Sequence, residues 1–168
     1  MSKKEALQAV VEDLKKEFQD DIIDVGGHAG DTMLRVSLTR IHDICQYLYE
    51  SHHFTYLVDL FGADRFTSEE RFEVIYNVIS LKTGLRIFLK VWCSEEEPEV
   101  RSVTDIWAGA NWNEREVWDM FGIRFENHPD LRRIFMPEDF EYHPLRKEFP
   151  LLGIPGSIDL PSTTPDTE

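Results

Sequence analysis

Proline placement constrains this sequence more than any other feature. Seven of its eight prolines lie between Pro129 and Pro165. Each removes a backbone donor and turns the residue before it away from helix. The spacing predicts that residues 123–168 are extended or looped. Yet this stretch is rich in large apolar side chains, among them Phe125, Leu131, Ile134, Phe135, Phe140, Leu145 and Phe149. Long structureless segments are uncommon in compact domains, and disordered ones are poor in such residues. The segment from 123 to 156 therefore reads as an arm ordered against its own domain or a partner. Residues 157–168, small and polar with Pro161 and Pro165, read as a disordered tail.

Residues 1–122 carry the regular patterns. Ser2 and Glu5 have capping-box spacing, and Leu7, Val10, Val11, Leu14 and Phe18 follow as a helical stripe ended by Asp20-Asp21. Ile22 to Val25 is a short strand, and the glycines from Gly26 to Gly30 turn the chain. Leu34, Val36 and Leu38 alternate as a half-buried strand. Thr39 is placed to cap a helix through Ile41, Ile44, Cys45 and Leu48. Three strands follow: Phe54–Phe61, then alternating runs through Phe72–Val78 and Leu85–Val91. Lys82-Thr83-Gly84 makes the last two an antiparallel hairpin. The acidic run from Glu95 to Glu99 reads as solvated. Asn111 and Glu114 repeat the capping-box spacing, opening a helix that ends at Gly122. The expected fold is α+β: a mainly antiparallel sheet with flanking helices over residues 1–122, then the extended arm.

Charge and motifs remove several function classes. With 18 Lys and Arg against 32 Asp and Glu, the net charge of -14 opposes nucleic acid or anionic lipid as the main partner. The longest uncharged run, Phe149–Ile158, holds two prolines and falls short of the ~20 apolar residues of a membrane span. The N-terminal residues show neither a signal core nor an Arg-rich transit pattern. No Gly-x-Gly-x-x-Gly loop follows a strand and opens a helix, so no dinucleotide site is expected. Cys45 and Cys93 stand alone, without a Cys-x-x-Cys pair, and read as reduced core thiols.

Two enzymatic readings fare poorly. Glu116, Asp119 and His128 resemble a metal triad, but Arg115 has ordinary i,i+4 ion-pair spacing to Asp119. Cys45 with His42 or His52 suggests a thiol nucleophile, but nothing supplies an oxyanion site, and His52-His53 reads as a helix-end charge partner. No catalytic, cofactor or metal residue is expected. The arm's Arg124, Arg132, Arg133, Arg146 and Lys147 are interleaved with acids and aromatics. Such mixing suits a protein interface that fixes register through charged pairs. It suits equally well charges that cap the chain's own domain, and the residues alone leave both open.

The run Ser102-Val103-Thr104-Asp105-Ile106-Trp107-Ala108-Gly109-Ala110-Asn111-Trp112-Asn113-Glu114-Arg115-Glu116-Val117-Trp118-Asp119-Met120-Phe121-Gly122-Ile123 closely resembles the hallmark of the 30 kDa subunit family of respiratory complex I, which in bacteria is NADH-quinone oxidoreductase. His128-Pro129-Asp130-Leu131-Arg132-Arg133-Ile134 and His143-Pro144-Leu145-Arg146-Lys147-Glu148-Phe149-Pro150-Leu151 resemble its downstream motifs, and Phe54–Leu60 its strand. The resemblance spans residues 35–152. One departure stands out: Tyr142 occupies the place of the family's usual Gly, where a positive φ would be strained.

The resemblance implies a small α+β scaffold whose C-terminal arm embraces the hydrogenase-like quinone-site subunit, the 49 kDa type. Neighbouring cluster-bearing subunits are the other implied partners. FMN, iron–sulfur clusters, NADH and quinone belong to those other subunits, and this one is non-catalytic. The implied interface comprises Glu114, Arg115, Glu116, Asp119, Phe125, His128, Arg132, Arg133, Phe135, His143, Arg146, Lys147 and Phe149. In that picture Arg132, Arg133, Arg146 and Lys147 meet partner carboxylates, and the phenylalanines anchor. The implied location is peripheral, on the cytoplasmic face of a bacterial inner membrane, reached only through the complex. Rival readings are the same module in a membrane-bound hydrogenase or another donor-linked quinone reductase, and a free-standing interaction module.

Overall fold

The computed structural model describes residues 2–28, 30–66 and 69–153. Helix α1 (Lys3–Phe18) opens on the expected capping box: the Glu5 amide donates to the Ser2 hydroxyl, and the Ser2 amide to the Glu5 carboxylate at 2.7 Å. It buries Val10, Val11, Leu14 and Phe18. Strand β1 (Ile22–His28) runs through Gly26 and Gly27, which lie inside the strand rather than turning the chain. It pairs antiparallel with β2 (Asp31–Val36). Leu38 falls in a short 3₁₀ turn, so the alternation through it is not strand. Helix α2 (Ile41–His52) follows with no side-chain cap; the Thr39 hydroxyl meets Ser37 instead. His53, in the left-handed region, ends it, and Phe54 donates back to Leu48, so the next strand starts later than the apolar run.

That strand is β3 (Tyr56–Asp64), an edge strand, with β4 (Phe72–Ser80) and β5 (Leu85–Cys93) beside it. The sheet order is β1-β2-β5-β4-β3. Within this sheet the pairings are antiparallel except β2 with β5, whose parallel register is Met33–Phe88 to Arg35–Lys90. The hairpin between β4 and β5 turns through residues 81–84, as its residues predict. This is the expected α+β class with a mainly antiparallel sheet. Inward residues of β4 and β5, including Val74, Tyr76, Val78, Ile87, Leu89 and Val91, join the helix stripes in one core.

Two more strands lie outside the main sheet. β6 (Glu99–Arg101) pairs parallel with β7 (Arg124–Glu126), which flank helix α3 (Ala110–Phe121). Because β7 pairs, and Ile123 and Phe125 are buried, the packed part of the chain continues past Gly122 through Glu126. The extended segment begins only after it. Helix α3 lies close against β3: a Cβ on Gly62 would meet the Phe121 ring at 2.7 Å. The tail from 157 to 168 lies outside the described residues.

Candidate partner interface

Helix α3 carries the motif side chains, and its two ends and two faces do different work. Glu114 does not close a capping box with Asn111, because the helix already begins at Ala110 after Gly109. It points inward and is fully buried. There its carboxylate accepts from the Ser102 hydroxyl at 2.6 Å and the Val103 amide at 2.8 Å, tying the loop before α3 to the helix. Burial pushes its carboxyl up to about 7 despite those bonds.

Arg115 and Asp119, four residues apart, share another face of the helix but do not pair with each other. Arg115 donates to the carbonyls of Arg132 and Arg133, both at 3.1 Å. Asp119 accepts the amides of Ile134, Phe135 and Met136 on one oxygen, at 3.0, 2.7 and 3.0 Å. Its other oxygen takes the Arg133 guanidinium at 2.6 Å. Burial works against the Asp119 carboxylate, yet the three amides and Arg133 hold it below the usual range. The i,i+4 spacing thus places a donor and an acceptor where they grip consecutive carbonyls and amides of the arm.

The C-terminus of α3 is a second anchor. The final carbonyls of a helix lack intrahelical donors. The arm supplies them: His143 Nδ1 donates to the Asp119 carbonyl, the Leu145 amide to Met120, and Arg146 Nε to Phe121 at 2.7 Å. Gly122 turns left-handed between helix and arm at φ 76°, and a Cβ there would meet His143 at 2.5 Å. A third anchor lies at the sheet. Arg71 forks onto Asp64, and also pairs with Glu95 at 2.6 Å and with Glu148 of the arm. Asp64 accepts the Lys147 amide at 2.8 Å. Burial opposes its ionisation, but Arg71 and the Lys147 and Phe66 amides outweigh it and hold it at about 2. Glu95 is therefore an ion-pair member, not simply solvated.

The implied interface residues fall into two groups. Glu114, Phe125 and the His128 side chain are enclosed, Arg115 and Asp119 are buried, and Arg133 and Arg146 are spent on their own chain. Glu116, Arg132, Phe135 and Lys147 are exposed, and His143 and Phe149 are half-buried. Arg132 pairs locally with Asp130 at 2.8 Å. His128 accepts the Asp130 amide at Nδ1 and donates from Nε2 to the Asn111 carbonyl, which fixes it neutral, and burial lowers its pKa. The metal triad does not assemble: Glu116 faces solvent, Asp119 is filled by arm amides, and no metal-holding group occurs among the described residues. Cys45 is fully buried and its thiol is pushed up by burial, while His42 meets Asp105 and His52 meets Asp13. Cys93 is pushed up to about 12. Asp64, Arg71 and Ser102 went unforeseen; each acts on residues distant in sequence, and nothing in their local pattern points there.

The model of the family described as "Respiratory-chain NADH dehydrogenase, 30 Kd subunit" matches residues 34–154. The chain belongs to this family. An NADH-quinone oxidoreductase subunit from Rhizobium etli is 42% identical over 161 residues, covering 91% of this chain and 86% of the relative. Subunit 5 of the Thermus thermophilus oxidoreductase is 48% identical over 112 residues, covering 61% of this chain and 54% of that one. A trypsin-resistant fragment of Nqo5, 34% identical, superposes with a TM-score of 0.65 over 74% of this chain and 98% of the fragment. A chain of an archaeal membrane-bound sulfane sulfur reductase shares the fold, with a TM-score of 0.74 over 86% of each chain at 23% identity. In this member of the 30 kDa family, Tyr142 has no positive φ, so the arm accommodates it without backbone strain. Its ring joins Phe140 and Phe149, with centroids 5.8 and 6.4 Å away.

Proposed function

We propose that this chain is a cofactor-free structural subunit of the peripheral arm of a proton-translocating NADH:quinone oxidoreductase. It holds the hydrogenase-like quinone-site subunit in place while electrons pass from NADH to quinone through FMN and iron–sulfur clusters of other subunits. One observation carries this reading: the charged side chains of the family motif grip the backbone of the chain's own arm. Arg115 and Asp119 bind residues 132–136, which leaves Phe135 exposed on a pinned loop. A pinned aromatic loses little freedom on docking, and that is what a scaffold edge requires. The names of the relatives supply the complex. No helix among the described residues is long and apolar enough to cross a membrane, and attachment through partner subunits at the cytoplasmic face completes the proposal.

The test is affinity purification of the tagged chain from its native membranes in mild detergent. Co-purification of the quinone-site, cluster-bearing and NADH-oxidising flavin subunits supports the proposal. Co-purification with a nickel hydrogenase or another input module keeps the scaffold role and changes the electron donor. Recovery of the chain without partners contradicts it.

A further inference from the structure

Arg133 and Arg146 of the arm are turned inward, while Arg132 stays exposed in a pair with Asp130, and this changes the charge a partner meets. Arg133 is held by Asp119 and the Tyr142 carbonyl. Arg146 donates to the Phe121 carbonyl and stands 5.0 Å from the Phe72 ring. Among the residues exposed over 135–149 are Phe135, Tyr142 and Leu145, together with the acids Glu138, Asp139, Glu141 and Glu148 and one cation, Lys147. A groove of about 260 Å³ opens on this face, lined by Glu141, Tyr142, His143, Arg146, Glu148, Phe149 and Pro150.

The charged groups of the groove are held to different degrees. Glu148 is paired with Arg71, whereas Arg146 donates from Nε to the Phe121 carbonyl at the end of helix α3 and has no carboxylate partner among the described residues. His143 donates from Nδ1 to the Asp119 carbonyl, and burial lowers its pKa, so it is neutral. Glu141 alone among the lining carboxylates has no ion-pair partner among the described residues. The exposed Lys147 is not part of the lining. The groove therefore offers an aromatic wall beside a free carboxylate, on a chain of net charge -14.

We infer that this groove receives an arginine side chain of the neighbouring subunit, stacked on Tyr142 and forked onto Glu141. A planar guanidinium suits both groups at once, stacking on a ring face and bonding a carboxylate through two nitrogens. The inference rests on the proposed scaffold role and names the chemistry of its partner surface. It also gives Tyr142 a role: a Gly at this position, as in the resembled motif, would leave the groove without that wall.

The test uses solubilised membranes from a strain deleted for the chain, to which the purified full-length protein is added and reassembled complex is measured. Wild type and Glu96→Gln, which makes the same charge change in the exposed acidic loop, should reassemble alike. Glu141→Gln should need on the order of ten-fold more protein, and Glu141→Lys should fail, with both variants melting like wild type. Equal reassembly by all four proteins overturns the groove while leaving the scaffold role intact. Failure of the wild type overturns the scaffold role itself. Photo-crosslinking from a benzoylphenylalanine at position 142 identifies the occupant. Capture of an arginine-bearing peptide of a neighbouring subunit supports the inference, and capture of a second copy or of residues 154–168 overturns it.

Discussion

Glu114 and Asp119 lie on one helix and are both buried, yet burial decides only one of them. Glu114 meets a hydroxyl and one amide, so desolvation dominates and its pKa rises to about 7. Between its ordinary 4.5 and that value the folded chain holds more protons than the unfolded one, so stability falls as pH rises through the window. In Glu114→Gln the amide oxygen still accepts from Val103 and the nitrogen faces Ser102. Urea unfolding should find this variant roughly 2–3 kcal/mol more stable than wild type at pH 8 and near equal at pH 4. Asp119 meets three amides and an arginine, and its pKa falls. Its contribution is present above the ordinary carboxylate pKa and is lost as pH falls through the lowered one. Asp119→Ala strands those donors and should lose about 2–4 kcal/mol at pH 7, with a smaller loss near pH 2. The sequence shows both residues and their spacing, but not which donors surround them. Ser102 and Ile134–Met136 reach them through tertiary folding, which no local pattern encodes. The same limit explains why one capping-box spacing, Ser2 with Glu5, is real while Asn111 with Glu114 is not: the second glutamate found its donors on another loop.

Helix α3 works as an element because both its end and its side are used by one segment. Its C-terminal carbonyls receive His143, Leu145 and Arg146, and Gly122 leaves room for them. Gly122→Ala adds a Cβ in a left-handed position and against His143, so thermal unfolding should show a loss of about 1–3 kcal/mol. Gly109→Ala, at φ -64° with nothing within 4 Å of a Cβ, should be neutral or stabilise by up to about 1 kcal/mol. Elements with a strong period, α1, α2, β4 and β5, were legible from their apolar spacing alone. β6 and β7 were not, since three residues with one inward side chain give no period. The parallel β2–β5 pairing was equally hidden, because it joins strands separated by a helix and two other strands.

At the scale of the molecule, the two readings of the arm's charges prove compatible. Arg133, Arg146 and Glu148 hold the arm to its own domain, and the residues left outside include Phe135, Tyr142 and Glu141 alongside the basic Arg132 and Lys147. Among the described residues beyond β7 no helix occurs, as the proline density signals, but the anchoring of this segment on Asp64 and Arg71 lies far away in sequence. The central claim is that the arm is folded on helix α3 before any partner arrives. Amide hydrogen exchange of the isolated chain tests it directly at Ile134, Phe135 and Met136. Protection of all three amides in wild type, lost in Asp119→Ala while the β4 and β5 amides stay protected, is the predicted result. Free exchange of these amides in the isolated wild-type chain would contradict it and make the arm a segment that orders only on its partner.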